Sequence, residues 1–242
     1  MNKILVPTDF SSTSKNALQV AYEIAKNNKT SILLYHTYGV PHSSSTVMID
    51  LSDVIKDAAE KEMTAFLEQI KLEYPTVNIE TKCVFGPFLD LISEKSEDCD
   101  LVVMGTNGAS GLEEVFLGSH TSNLIKKTDT PILAIPSDFE VKNFGKALIS
   151  LDTRNHNTEG NVDYLIKLIT LLGIKSTEVL NIQKEEETDE KSIESFISKI
   201  NKAFGEIQHK FTFLGNNDIE DAILNHATKN DLIVVLSKSY GF

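Results

Sequence analysis

The chain has 242 residues, of which 41% are hydrophobic and 24% charged, and this composition excludes disordered and fibrous proteins. Its formal net charge is −12, and Arg154 is the only arginine among 23 basic residues. Both facts argue against nucleic acid or an anionic membrane surface as the main partner. Because no apolar run approaches the roughly 18 residues of a membrane span, we expect a soluble protein.

Short apolar segments alternate with amphipathic segments over the first 138 residues. Alanines at positions 17, 21 and 25 form one row of the first predicted helix, and hydroxyls between positions 11 and 14 offer N-caps for it. The predicted strands are Lys3–Thr8, Ser31–Tyr38, Ile79–Val84, Leu101–Met104 and Ile132–Ile135. Strands that alternate with helices in this way predict an α/β fold with a parallel sheet and right-handed crossovers.

Two further helices are predicted between the second and fourth strands. A long helix is expected from about residue 50 to residue 73; its expected inward residues are Leu51, Ile55, Ala58, Phe66 and Ile70. A polar stretch with three serines at positions 43 to 45 comes before it and is either a solvated loop or a lid or phosphorylation segment. Pro87 is expected at the first position of the next helix, where its missing N–H has no partner to lose.

The same order of elements begins again after residue 138. Lys3 and Asp9 are repeated as Lys146 and Asp152, both at an offset of 143 residues. The segment that begins at Asp100 is repeated from position 231, at an offset of 131. This repetition predicts two tandem modules, residues 1–140 and residues 141–242.

A glycine-rich loop follows the fourth predicted strand. Gly105, Gly108 and Gly118 have the spacing G-x2-G-x9-G, and Ser119 comes next. Small residues allow backbone N–H groups to approach a phosphate, and a helix that opens at Ser119 would favour an anion through its dipole. The alternative is that these glycines only supply turns with positive φ.

Asp9 directly follows the first strand. In an open parallel sheet, ligands bind beyond the carboxyl ends of the strands where the strand order reverses, so Asp9 and Gly105 are expected at one crevice. Asp9 could accept hydrogen bonds there from ribose hydroxyls or from a base edge. Its alternative role, compatible with the first, is an N-cap carboxylate for the first helix.

At these residues the sequence resembles the universal stress protein family. The resemblance rests on KILVPTD at the start, ILLYHTY in the second strand, GPF, DLVVMG, and the glycine loop that leads to PILAIP. It covers residues 1–138 and, more loosely, residues 141–242. It implies two flavodoxin- or Rossmann-like modules with strand order 3-2-1-4-5, in a stress-response binding or signalling protein rather than an efficient enzyme. Some members of the family bind ATP and others do not.

The resemblance also implies a nucleotide site in the first module. The residues that match the family's ATP-binding pattern are Pro7, Thr8, Asp9, Thr37, Met104, Gly105, Gly108, Gly118, Ser119, His120 and Thr121. Two departures stand out, since His120 replaces a small apolar residue and no basic residue lies between Gly105 and Gly118. We therefore expect, at best, weak or Mg²⁺-dependent binding of ATP or AMP.

The second module departs further from the pattern. Leu236 and Ser239 stand at the positions of Gly105 and Gly108, although Asp152 persists. The chain stops at Phe242, before a last loop, helix and strand, and truncation of a longer protein is the favoured explanation. We therefore expect the second module to be degenerate and without a nucleotide site.

Other chemistry has less support in the sequence. His36 lies in an apolar strand and is expected to be a hydrogen-bonded core histidine, and the remaining histidines show no metal-site spacing. Cys83 and Cys99 match no metal or redox spacing, which is typical of idle thiols in a reducing cytoplasm. Two alternative functions remain open: a structural or protein-interaction pseudo-dimer that binds no nucleotide, and a slow ATPase. Protein partners or self-association are expected.

Overall fold

Parallel strands alternate with helices throughout the part of the chain that the structure describes. The computed structural model describes residues 3–39, 52–106, 119–140, 144–151, 158–183, 190–215, 219–227 and 230–235. The chain divides into two units, Met1–Val141 and Lys142–Phe242. In the described residues, no helix combines the length and the apolar character needed to cross a lipid bilayer.

The first unit contains a five-stranded sheet. Its elements are β1 (Lys3–Pro7), α1 (Ser12–Asn28), β2 (Ser31–Tyr38), α2 (Ser52–Glu73), β3 (Ile79–Phe85), α3 (Phe88–Ser96), β4 (Leu101–Thr106), α4 (Ser119–Ile125) and β5 (Ile132–Pro136). The strands pair in the order β3-β2-β1-β4-β5, and every pair is parallel. The predicted α/β fold with strand order 3-2-1-4-5 is confirmed.

The second unit repeats the first four strands of this order. Its elements are β6 (Lys146–Ser150), α5 (Thr158–Leu171), β7 (Ser176–Gln183), α6 (Glu190–Phe204), β8 (Gln208–Gly215), α7 (Ile219–Ala227) and β9 (Leu232–Val235). The strand order is β8-β7-β6-β9, again all parallel. The repetition seen in the sequence is therefore also present in the strand order of the two sheets.

A matching pair of hydrogen bonds joins the first strand of each unit to its fourth strand. Asp100 accepts a hydrogen bond from the backbone N–H of Lys3 at 3.2 Å, and Asp231 accepts one from that of Lys146 at 3.1 Å. These are the residues that the offsets of 143 and 131 relate to each other. Each aspartate thus ties the start of the central strand to the segment before its neighbour.

Helix α1 begins and packs as its sequence predicts. Ser11 is the N-cap, and its hydroxyl accepts a hydrogen bond from the backbone N–H of Ser14 at 3.2 Å. Ala17, Ala21 and Ala25 are fully buried. Because their side chains are small, they allow the helix to lie close to the sheet.

Helices α2 and α3 correct two details of the prediction. In α2, Ala58 is exposed, and the buried row runs through Ala59 and Met63 to Phe66 and Ile70. One residue turns a helix by about 100°, so a side chain adjacent to the buried row faces solvent. Pro87 is the N-cap of α3 rather than its first helical residue.

The helices of the first unit cover both faces of its sheet. Ile92 of α3 and Leu124 of α4 pack in one cluster with Leu5, Tyr35 and Met104. Helices α1 and α2 lie against the opposite face. A Cβ at Gly105, the residue after Met104, would point to Thr13 of α1, and Cys83 of β3 lies 3.7 Å from the carbonyl oxygen of Ala59 of α2. A sheet covered on both faces explains why its central strands, β1 and β4, are almost continuously apolar.

Candidate functional site at the carboxyl end of the first sheet

Strands β1 and β4 are neighbours, but they pair over a short distance. Their paired residues are Ile4 with Leu101 and Leu5 with Val102, whereas β1 continues to Pro7 and β4 to Thr106. By contrast, β1 pairs with β2 along all five of its residues. The strand order reverses between β1 and β4, which is where open α/β sheets place their ligand crevice.

Asp9 lies exposed at the carboxyl end of β1. Its Oδ1 accepts hydrogen bonds from the backbone N–H of Ser11 at 3.1 Å and from the Ser11 hydroxyl at 2.5 Å. Partial burial opposes ionisation of the carboxyl, but the hydrogen bonds from Ser11 and Ser14 outweigh it and hold its pKa below the ordinary value of 3.8. Asp9 is therefore an oriented, ionised carboxylate, and the N-cap of α1 is Ser11 instead.

The Thr8 side chain contacts the first turn of α1. It is buried, and its Oγ1 accepts a hydrogen bond from the backbone N–H of Phe10 at 3.0 Å. The same hydroxyl lies 3.0 Å from the Ser14 hydroxyl, which in turn donates to the carbonyl of Ser11. The observed contacts of the Thr8 side chain shape the loop around Asp9.

Four other predicted residues lie on the side of the sheet that α3 and α4 cover. Pro7 pairs with Tyr35, Thr37 lies two residues further along β2, and Met104 packs in the same cluster as Tyr35. The Thr121 hydroxyl lies 3.7 Å from the sulfur of Met104. Met104 and Thr121 are almost completely buried, so they form the floor beneath the carboxyl ends of the strands.

Gly105 is explained by packing between β4 and α1. A Cβ added at this position would lie 2.6 Å from Cγ2 of Thr13 and 2.7 Å from its backbone oxygen. The first turn of α1 therefore approaches β4 so closely that no side chain fits between them. This gives Gly105 a structural role that requires no phosphate.

Ser119 and His120 are exposed at the start of α4. The ring of His120 lies edge-on to Phe88 of α3, with 5.0 Å between the ring centroids. Gly108 and Gly118 lie outside the described residues. The geometry of the glycine loop therefore stays a prediction.

Sequence reasoning did not connect two residues that border the site, His36 and Phe10. His36 is half-buried, and its Nδ1 lies 2.8 Å from the carbonyl oxygen of Thr8, as expected for a hydrogen-bonded histidine. Phe10 has a φ of 63°, which is unusual for an aromatic residue, and its ring contacts His36. The only local signal for either residue was a histidine inside an apolar strand.

Two surface depressions in the described residues lie away from the predicted nucleotide site. One has a volume of about 550 Å³ along α2 and is lined by residues between Asp57 and Glu68. The other, of about 490 Å³, lies between Lys26 and Asn78, at the end of α1. No residue of the predicted nucleotide site lines either of them.

The second unit offers different residues at the matching positions. Ser150 ends β6, and Leu151 after it is buried where the first unit has Thr8. Asp152, Leu236 and Ser239 lie outside the described residues. The expected loss of the site in this unit rests on the sequence.

The described side chains include neither a metal-ligand cluster nor a readily ionised thiol. They contain no cluster of three or more His, Cys, Asp or Glu residues that could hold a metal ion. Cys83 and Cys99 are free, and burial raises the pKa of both thiols above the ordinary value of 9.0. A raised pKa leaves little thiolate at neutral pH, so both cysteines are poor nucleophiles.

The comparisons with known proteins agree with this fold. The model of the universal stress protein family matches residues 1–136, more than half of the chain. The chain belongs to the universal stress protein family. Two universal stress proteins of Methanocaldococcus jannaschii are 29% and 32% identical to it over 152 and 143 residues. Each alignment covers 55% of this chain, and 93% and 81% of the respective relative.

A solved structure extends the likeness to both units. A universal stress protein from Archaeoglobus fulgidus superposes with a TM-score of 0.74 and covers 97% of this chain and 86% of its own. The sequence identity is 17%, so this comparison shows the fold alone. The family fold therefore accounts for nearly all of the chain.

Proposed function

We propose that the first unit binds an adenine nucleotide, ATP or AMP together with Mg²⁺, at the carboxyl ends of β1 and β4. In this proposal the protein is a stress-response binding or signalling factor in the cytoplasm, where its two free thiols stay reduced. The observation that carries the proposal is the exposed, oriented carboxylate of Asp9 beside the point where β1 and β4 stop pairing.

The chemistry of Asp9 favours a ligand that carries hydroxyl groups. An ionised carboxylate is only an acceptor of hydrogen bonds, so it suits ribose hydroxyls or the amino group of a base. The hydrogen bonds from Ser11 fix the direction of the carboxylate before any ligand arrives. Such pre-organisation reduces the entropy that binding must overcome.

The charge of the first module favours weak binding that requires a divalent cation. Acidic residues outnumber basic ones by 20 to 11 in residues 1–140, and no basic residue lies between Gly105 and Gly118. Backbone N–H groups alone would then oppose the charge of the phosphates. Mg²⁺ bound to the phosphates reduces their net charge, so we expect it to increase affinity.

Isothermal titration of the full chain with ATP and AMP, each with and without Mg²⁺, tests the proposal. We expect Mg²⁺–ATP to bind and Asp9→Ala to weaken binding by about tenfold or more, the cost of losing a hydrogen bond to a charged group. Asp152→Ala is the matched control, since this residue repeats Asp9 in the other module, and it should leave the affinity unchanged. If millimolar Mg²⁺–ATP gives no heat and equilibrium dialysis also detects no binding, the nucleotide proposal is wrong.

The same samples distinguish a binding protein from a slow ATPase. A binding factor leaves ATP intact over hours. Release of ADP that depends on time and disappears in Asp9→Ala would instead support hydrolysis.

A second candidate function, a protein-interaction role through self-association, is favoured by the edge of the second sheet. In the described residues β9 has one neighbouring strand, β6, whereas β4 lies between β1 and β5. Val235 on β9 is 62% exposed, and Met104 at the matching position of β4 is 5% exposed. An exposed apolar edge strand is a template for pairing with another chain. Light scattering of the wild type and of Val235→Lys tests this role: we expect a dimer that the lysine dissociates, and a monomer at high concentration would contradict it.

A further inference from the structure

Phe10, next to Asp9, adopts a backbone conformation that aromatic residues rarely take. Its φ is 63°, in the left-handed region. The other described non-glycine residue with positive φ is Lys29, which is the C-cap of α1, a position where this conformation is common. Phe10 does not end a helix, so its conformation must be held by tertiary contacts.

Aromatic contacts hold the side chain of Phe10 in place. Its ring centroid lies 4.4 Å from that of His36 and 5.6 Å from that of Phe66 on α2. Its backbone N–H donates to the Thr8 hydroxyl at 3.0 Å. Residues from a strand and a helix therefore determine how the chain turns immediately after Asp9.

His36 also holds the chain immediately before Asp9. Its Nδ1 lies 2.8 Å from the carbonyl oxygen of Thr8. A carbonyl oxygen only accepts hydrogen bonds, so Nδ1 carries the proton. One side chain thus contacts both neighbours of Asp9, Thr8 through a hydrogen bond and Phe10 through its ring.

The second unit separates these two contacts. Asn181 occupies the position on β7 that His36 occupies on β2, and its Nδ2 donates to the carbonyl of Leu151 at 2.8 Å. Leu151 matches Thr8, but the residue that matches Phe10 is Thr153. The hydrogen bond to the carbonyl therefore occurs in both units, whereas the aromatic contact occurs in the unit with the candidate site.

We propose that His36 and Phe10 are positioning residues that direct the Asp9 carboxylate into the crevice. His36 fixes the backbone before Asp9, and the contact between its ring and Phe10 fixes the backbone after it. The hydrogen bond to the carbonyl is the part of this arrangement that both units need for their fold. The ring contact is the part that serves the ligand, and its effect on affinity rests on the proposed function.

Three variants of the full chain separate the two contacts. His36→Leu removes both, and His36→Asn keeps a donor for the carbonyl as Asn181 does. Phe10→Leu removes the ring contacts of Phe10 to His36 and Phe66 but keeps the hydrogen bond between His36 and the carbonyl of Thr8. We expect His36→Leu and Phe10→Leu to weaken Mg²⁺–ATP binding by about tenfold or more, the scale of one lost interaction of the carboxylate. His36→Asn should recover the thermal stability lost in His36→Leu but not the affinity. Asn181→Leu breaks the matching bond in the second unit and should leave the affinity unchanged.

Amide hydrogen exchange of Ser11 makes the positioning measurable without a ligand, because this N–H donates to Asp9. We expect exchange to be faster by about tenfold or more in His36→Leu and Phe10→Leu than in the wild type. If the wild type binds no nucleotide but exchange accelerates, the proposed function fails and the positioning role stands. If Phe10→Leu, folded by circular dichroism, changes neither exchange nor affinity, the positioning role is wrong.

Discussion

The side-chain amide of Asn181 donates a hydrogen bond of 2.8 Å to the backbone carbonyl of Leu151. Both residues are almost completely buried, and they lie 30 positions apart: Asn181 is on β7, and Leu151 directly follows the neighbouring strand β6. His36 makes the matching bond to Thr8 in the first unit, also at 2.8 Å. Histidine in one unit and asparagine in the other thus donate a hydrogen bond to the backbone carbonyl that follows the central strand.

Replacement of Asn181 by leucine should destabilise the protein. It leaves the buried carbonyl of Leu151 without this donor, at a cost of about 1–3 kcal/mol in the free energy of unfolding. Urea denaturation followed by circular dichroism measures the loss. Leu180→Met, a volume-conserving change at the preceding buried residue, is the control and should cost less than about 1.5 kcal/mol. Equal losses in the two variants would show that the hydrogen bond contributes nothing of its own.

Gly105→Ala should destabilise the first unit by about 1–3 kcal/mol, the usual cost of overpacking. The added Cβ would meet the Thr13 backbone at less than 3 Å, so either α1 or β4 must move. Gly39→Ala is the matched control, because a Cβ there has nothing within 4 Å. Differential scanning calorimetry compares the two variants, and the expected order of melting temperatures is Gly39→Ala above Gly105→Ala. Equal melting temperatures would contradict the close approach of α1 to β4.

Ser11→Ala should cost about 0.5–2 kcal/mol, the range measured for lost N-caps. The change removes a single hydroxyl, which both caps α1 and orients Asp9. Without that hydroxyl, the pKa of Asp9 should rise towards 3.8, which NMR titration of the carboxyl measures. Ser12→Ala, at an exposed neighbouring position, is the control and should leave both the stability and the pKa close to those of the wild type. A pKa of Asp9 that does not change in Ser11→Ala would contradict this account.

Glu178 makes the stability of the second unit depend on pH. Burial opposes its ionisation, but hydrogen bonds from Lys210 at 2.8 Å and Thr212 at 2.7 Å outweigh it, and the charge of His226 adds to them. The pKa of Glu178 in the folded state is therefore lower than the 4.5 of an ordinary glutamate. The stabilisation is complete above pH 4.5 and is lost as the pH falls through the folded-state pKa.

Glu178→Gln should cost about 1–3 kcal/mol at pH 7, as expected for a lost hydrogen bond to a charged group. The difference from the wild type should shrink as the pH is lowered from 5 towards 3. Thermal melts across this range measure it. Glu80→Gln is the control, since its ion pair with Lys3 is exposed and should contribute less than about 1 kcal/mol. A difference that stays constant with pH would contradict the role of the charge.

The sequence could predict at which end of the sheet the candidate site lies, but it could not predict the contacts of each residue. The sequence places Asp9 and Gly105 after the strands that the structure shows as neighbours at the reversal of strand order. It does not reveal that Gly105 is in close contact with Thr13, because glycine is compatible with a ligand loop and with tight packing alike. Nor does it indicate the positive φ of Phe10, since no local pattern requires it.

The sequence by itself determined the alternation of strands and helices, the repetition of the module and the family to which the chain belongs. These depend on the spacing of apolar residues along the chain and on the order of short motifs. Only the tertiary structure decided which side chain donates a hydrogen bond to the carbonyl of Thr8 or of Leu151. It also decided that α1 packs against Gly105. Such contacts join residues about 30 or more positions apart, and their geometry depends on strand register and on the distance between helix and sheet.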